Sequence, residues 1–202
     1  MAEVDTSRNF EMFVRRWLKP AAFVIALAPF AWWGYRALSG QLGANPIEAT
    51  TRYFGDWALR FVLIALAVTP IRLLTKWNGI ARLRRMLGLF AFFYVTLHVM
   101  SYVGLDLFFD LQLLVQEIVK RRYITVGMFA LVILTALAAT STDAMTRRLG
   151  GRRWRRLHSL VYPAAIAGVF HYYMMVRAGF IEPLTYGLIL AALFAIRMIK
   201  KA

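Results

Sequence analysis

The stretch MLGLFAFFYVTLHVMSYVGL, running from Met86 to Leu105, decides how this chain folds. Its 20 residues include no Asp, Glu, Lys or Arg, and that is the length an α-helix needs to cross the hydrocarbon core of a bilayer. Tyr123–Thr142 and Leu157–Val176 share the property. Further out, Pro20–Leu38 is interrupted only by Arg36, and the shorter Pro183–Ile199 carries Arg197 one turn from its end. Asp56–Thr75 holds Arg60 and Arg72 near its two ends, within snorkelling reach of the interface. The expected fold is all-α: an integral membrane six-helix bundle in which residues 1–202 form one domain. Its spans fall at about 20–38, 56–75, 86–105, 123–142, 157–176 and 183–199, with loops too small for a second domain.

Composition agrees with this reading. Hydrophobic residues make up 60% of the chain and charged residues 17%, against about 45–50% and about 25% in soluble domains. Mean hydropathy is +0.58 while the formal net charge is +15, so the charge belongs in loops between apolar spans. The absence of cysteine excludes disulfides, thiol catalysis, iron–sulfur clusters and cysteine zinc sites. Nothing repeats at a fixed period, and no stretch is of low complexity. Arg15, Arg16 and Lys19 ahead of the first span imitate a secretory signal. The apolar run is longer than a signal's and lacks a small-x-small cleavage site, so a retained signal anchor is expected.

Lysine and arginine set the orientation. Placing both termini on one side gathers 18 of the 25 there: Arg8, Arg15, Arg16 and Lys19; Arg72, Lys76, Arg82, Arg84 and Arg85; Arg147, Arg148, Arg152, Arg153, Arg155 and Arg156; Arg197, Lys200 and Lys201. Only Arg36, Arg52, Arg60, Lys120, Arg121, Arg122 and Arg177 fall opposite, whereas Glu3, Asp5, Glu11 and Asp143 are the acidic residues on the basic side. Both termini are therefore expected in the cytoplasm. The arginines of 147–156 read as a short inner loop facing lipid headgroups, not as a nucleic-acid site. In the second outer loop, Leu107, Phe108, Leu111, Leu114, Val115 and Ile118 recur at three-to-four spacing, which predicts an amphipathic helix over 106–119 lying in the outer interface.

The chain has three histidines, His98, His158 and His171, and an ionisable side chain inside a span is a functional candidate. Counted from the cytoplasmic ends of their spans, His98 lies about 18 Å deep and His171 about 21 Å deep. Two imidazoles from different helices at matched height can face each other across a haem iron. Gly168, Ala167 and Ala164 precede His171 on its own face, which leaves room for a flat macrocycle. The face of His98 includes Ala91, Tyr94, Val95 and Tyr102. His158 sits at the inner end of its span and is turned about 140° from His171. It cannot serve the same iron, and a second haem, a flavin or quinone headgroup, and a plain interfacial position all remain open for it. The residue at its level on the third span is Arg85, which does not ligate iron.

The run Arg84-Arg85-Met86-Leu87-Gly88-Leu89 leading to Leu97-His98 resembles the MsrQ (YedZ) family of the ferric-reductase-like transmembrane group. So do Thr140-Ser141 through Arg148-Leu149-Gly150, Trp154, Leu157-His158, Tyr162 and His171, and so do Gly43-Ala44-Asn45-Pro46 with Glu48 and Gly55 before Ala58-Leu59. The resemblance implies a haem b protein of the bacterial inner membrane that takes electrons from the quinone pool, with FMN also associated. It implies a periplasmic, molybdopterin-containing methionine-sulfoxide reductase as the partner that repairs oxidised proteins. It further implies that His98, His171 and His158 occupy the family's histidine positions. A small transporter or a purely structural subunit is the competing class. Uncharged third, fourth and fifth spans argue against the first, and a histidine pair at matched depth argues against the second.

Overall fold

The computed structural model describes residues 12–199; Glu3, Asp5, Arg8, Glu11, Lys200 and Lys201 of the charge argument lie outside them. Every regular element among the described residues is helical. Helix α1 is Lys19–Leu38, entered through a π-turn at Val14–Leu18. Next come α2, Pro46–Thr75, and α3, Leu83–Ser101, which is preceded by a 3-10 turn at Asn78–Arg82 and followed by a π-turn at Tyr102–Asp106. The remainder are α4, Leu111–Lys120; α5, Arg122–Ala139; α6, Asp143–His158; α7, Val161–Met175; and α8, Ile181–Ile199. Five stretches are long and apolar enough to cross a membrane: Arg16–Leu38, Pro46–Thr75, Asn78–Asp106, Arg122–Ala139 and Ile181–Ile199.

Four boundaries differ from the sequence expectation, each for a local reason. Helix α2 begins ten residues before Asp56. Asn45 caps it by accepting from the Glu48 N–H at 3.2 Å, and Pro46 takes the first helical position, where a missing N–H costs nothing. The expected span 157–176 is broken, because α6 ends at His158 and α7 starts at Val161 with only 15 residues. Pro163 cannot donate to the Ser159 carbonyl four residues back, which accepts instead from the Tyr162 N–H at 3.1 Å. The amphipathic helix starts at Leu111, not 106, since Asp110 is its cap and Phe108 and Phe109 reverse the chain with φ of 48° and 61°. The arginine-rich segment is helical, broken at Gly150 (φ 73°).

Helix α2 is the centre of the bundle. Eleven of its residues are buried, with α3 packed along its length, while α5 pairs with α7. Rings tie α1 to this core, where Phe30 and Trp33 lie against Phe54, and within it Phe61 of α2 stacks on Tyr94 of α3 at 5.1 Å and 5°. Outside, Val24, Ile25, Val132, Leu188 and Met198 are 65–74% exposed, an apolar surface that is stable against lipid tails and not against water.

Tyr94 is fully buried. Its hydroxyl donates to the Ala26 carbonyl at 2.7 Å and accepts from the Phe30 N–H at 3.2 Å. Those two backbone groups are the i and i+4 partners of an uninterrupted helix, so the tyrosine stands inside the ladder of α1, beside Pro29. Removing the oxygen leaves both groups short of a partner in an apolar setting. Tyr94→Phe is expected to lower stability by about 1–3 kcal/mol, read as a fall in Tm of the detergent-solubilised protein.

Candidate functional site

His98 on α3 and His171 on α7 meet with ring centroids 6.2 Å apart and planes at 82°. Each ring is held by a backbone carbonyl of the neighbouring helix. Nδ1 of His98 lies 2.8 Å from the Thr51 oxygen of α2, and Nδ1 of His171 lies 2.6 Å from the Tyr123 oxygen of α5. A carbonyl can only accept, so both Nδ1 atoms carry the proton and both Nε2 atoms keep a lone pair. That is the tautomer a metal-ligating imidazole needs, with its outer partner already in place. Two rings at this spacing could each offer Nε2 to one metal centre.

The space beside the pair is a cavity of about 420 Å³. Ala164, Ala165 and Gly168 of α7 line it, as do Val95 and Tyr102, while Glu48, Arg52, Asp56, Asp106 and Arg121 contribute charge. Two expectations about its walls are corrected. Tyr94 points away into the α1 contact, and Ala91 faces a second cavity. Arg52 pairs with Glu48 at 2.6 Å, and Arg121 pairs with Glu117 at 2.5 Å. No cluster of three or more His, Asp or Glu ligands stands among the described residues. Two histidines suffice when the other ligands arrive with the metal, as in a macrocycle.

The second cavity, about 570 Å³, shares Val62 and Leu134 with the first and is lined by Arg72, Arg84, Arg85, Arg155, Trp154, His158 and Arg197. His158 thus lies on a different wall from His98 and His171. Its ring stacks on Trp154 at 3.9 Å and 23°. Thr140 organises this corner. Its carbonyl accepts from the Trp154 indole at 2.9 Å, and its hydroxyl donates to the Ala136 carbonyl at 2.8 Å. The hydroxyl oxygen also hydrogen-bonds His158 Nε2 at 3.1 Å, whereas the other two histidines meet their carbonyls through Nδ1. Beyond it, Arg85 bonds Asp143 at 2.5 Å and holds that carboxyl below the usual range.

Arg197 shows what sequence reading missed. It bonds the Tyr162 hydroxyl and, at 2.5 Å, the Leu66 carbonyl. Pro70 lies four residues after Leu66 and has no N–H to offer it, so a guanidinium from α8 closes the gap that the proline opens in α2. Arg197→Lys keeps the charge but loses the planar two-point fork. It is expected to cost about 1.5–3 kcal/mol, measured as a lower Tm in detergent.

Also unforeseen were the two carbonyls and the glycines beside them. A signal was present: Gly55-x-x-Ala58-Leu59 and Gly127-x-x-Ala130-Leu131 stand 43 and 44 residues before His98 and His171. Arg84-Arg85 and Arg155-Arg156 each precede a leucine by the same interval, Leu89 and Leu160. The surroundings of the two histidines thus share a local pattern without a fixed period.

Residues 54–169 match the family model of the ferric reductase like transmembrane component, and the chain belongs to that family. Curated relatives refine the placement. The protein-methionine-sulfoxide reductase heme-binding subunit MsrQ of Rhodospirillum rubrum is 58% identical over 89% of this chain and 86% of its own length. The proteins of the same name from Herminiimonas arsenicoxydans and Caulobacter vibrioides are 49% and 45% identical, covering 90% and 87% of this chain and 84% of each relative. The chain is thus a member of the MsrQ branch.

Proposed function

We propose that this chain is a membrane haem b electron-transfer subunit. It takes electrons from the quinone pool, directly or through FMN, and delivers them to a periplasmic, molybdopterin-containing methionine-sulfoxide reductase. The observation that carries the reading is the histidine pair: two imidazoles on separate helices, 6.2 Å apart, both with Nδ1 spent on a carbonyl. The named relatives are heme-binding subunits of protein-methionine-sulfoxide reductases, which supports the haem and the reductase partner.

When bound, a haem supplies a one-electron iron couple whose potential follows its axial ligands. The chain's own residues do the rest. His98 and His171 would hold the iron through Nε2, and the Thr51 and Tyr123 carbonyls raise the basicity of both rings. Ala164, Ala165 and Gly168 give up volume to a flat group, and Arg52 and Arg121, paired with Glu48 and Glu117, are cations lining the same cavity.

Topology completes the proposal. We count α7 as a sixth span, made short by its break at Ser159–Leu160, and assign the arginine-rich cavity and both termini to the cytoplasmic face of the bacterial inner membrane. The histidine pair then faces the periplasm, and α4 lies in the outer interface with Leu111, Val115 and Val119 toward lipid. The inner cavity, with its Trp154–His158 stack and arginines, suits a planar anionic or quinonoid electron donor. FMN, a quinone headgroup and a second haem all fit that description, and a second haem on His158 would first require Nε2 to leave Thr140. Sulfoxide reduction belongs to the partner.

Protein purified in detergent after haem-replete expression is expected to show the Soret and α bands of a reduced haem b. His98→Ala and His171→Ala should each remove at least about nine-tenths of the low-spin haem, in line with the loss expected when a metal's direct support is deleted, whereas His158→Ala keeps it. Wild-type protein without absorbance, or full retention in both ligand variants, would reject the reading. The 82° angle between the rings also predicts the strongly anisotropic low-spin EPR signal of perpendicular axial imidazoles; a rhombic spectrum typical of parallel planes would contradict the ring geometry.

A further inference from the structure

We propose that Gly55 and Gly127 are the positioning residues of the histidine pair, each a seat that lets an imidazole reach a helix carbonyl; the inference rests on the ligand assignment above. A Cβ built on Gly55 would lie 3.0 Å from Nδ1 of His98 and 3.1 Å from its Cε1. One built on Gly127 would lie 2.8 Å from Nδ1 of His171 and 3.0 Å from its Cε1. Gly34 would meet nothing within 4 Å, and Gly168 only Leu59 at 3.5 Å. Gly104 would meet Phe109 at 3.2 Å and Gly151 would meet Arg155 at 3.3 Å, so the approaches at Gly55 and Gly127, at 3.0 Å and 2.8 Å, are closer than either.

Helix geometry explains why the seat sits where it does. Gly55 follows Thr51 by four residues, and Gly127 follows Tyr123 by four. Cα–Cβ bonds tilt toward the helix N-terminus, so a side chain at i+4 overhangs the turn that contains carbonyl i. That carbonyl has two lone pairs, and the helix itself uses one. Glycine at i+4 uncovers the second, and the histidine of the next helix takes it at 2.8 Å or 2.6 Å. A Cβ there pushes the ring away from the carbonyl, by a few tenths of an ångström at Gly55 and further at Gly127, and stretches the bond that fixes its tautomer and aims Nε2. The same device occurs once in α2 toward α3 and once in α5 toward α7.

The test compares Gly55→Ala, Gly127→Ala and the control Gly34→Ala in the full-length protein purified with haem. Both seat variants are expected to lose haem to apomyoglobin about ten-fold faster or more, with Gly127→Ala the worse because its contact is closer. The haem that remains should show an altered low-spin EPR signal and a midpoint potential shifted upward, since a ring without its carbonyl partner is a weaker base. Gly34→Ala changes none of these. A cycle of double variants covers the case in which the haem-loaded protein cannot be recovered: Gly127→Ala lowers Tm in the parent, but in a His171→Gly background it leaves Tm unchanged or raises it, because alanine favours helix once the ring is gone. Seat variants indistinguishable from Gly34→Ala in haem loss, EPR and potential overturn the proposal, as does an additive cycle. Retention of haem by His98→Ala and His171→Ala overturns the ligand assignment instead, and the cycle reports on the contact independently of it.

Discussion

A backbone carbonyl offered sideways from one helix to a histidine on the next is the contact on which this structure turns. Inside an apolar bundle an imidazole has few partners, and an unpaired N–H there costs free energy comparable to a lost hydrogen bond. Thr51 and Tyr123 meet that demand without introducing a charge or a second polar side chain. The choice of acceptor then decides the chemistry. Because a carbonyl never donates, it imposes one tautomer on each ring and leaves each Nε2 with its lone pair. Helix packing follows from the same contacts: α2 must lie within hydrogen-bond reach of α3, and α5 of α7, and these are the two most extensive helix pairs in the bundle.

Backbone acceptors recur as the organising theme because prolines keep releasing them. Pro70 frees the Leu66 carbonyl, which Arg197 takes from the far end of α8. Pro163 frees the Ser159 carbonyl, and a tighter turn recaptures it, dividing α6 from α7. Beside Pro29, the Tyr94 hydroxyl enters the ladder of α1, and the Tyr53 hydroxyl takes the Pro29 carbonyl at 2.8 Å. At Leu66 and in α1 a polar group from another helix is drawn to an acceptor that water cannot reach, and the contact becomes a joint between helices.

This explains what could be read in the chain beforehand. Apolar runs such as Met86–Leu105 declare themselves by length and lack of charge, and matched depth was enough to pair His98 with His171. Helix ends were less legible where polar caps carry the signal, as at Asn45 and Asp110, since hydropathy is blind to an Asx side chain folding back on the backbone. The partners of Arg197 and Tyr94 lie 131 and 68 residues away, and their acceptors are main-chain atoms that every residue type shares. Sequence identity cannot single out a carbonyl. It can single out the glycine that uncovers one, and Gly55 and Gly127 carried that mark.

The shared spacing of the two histidines frames the contrast between the two ends of the bundle. Stepping back 13 residues from His98 and from His171 leads to Arg85 and His158, the corresponding positions one level down. At the upper level both halves keep histidine, each with a glycine seat. At the lower level one half has arginine, committed to Asp143, and the other has a histidine whose Nε2 is committed to Thr140. The upper level is thus alike in the two halves, while at the lower level a cationic wall and an aromatic platform face the same cavity. A bundle built from one helix-pair device used twice thus acquires two unlike sites, joined through Val62 and Leu134, from a single pattern of backbone acceptors.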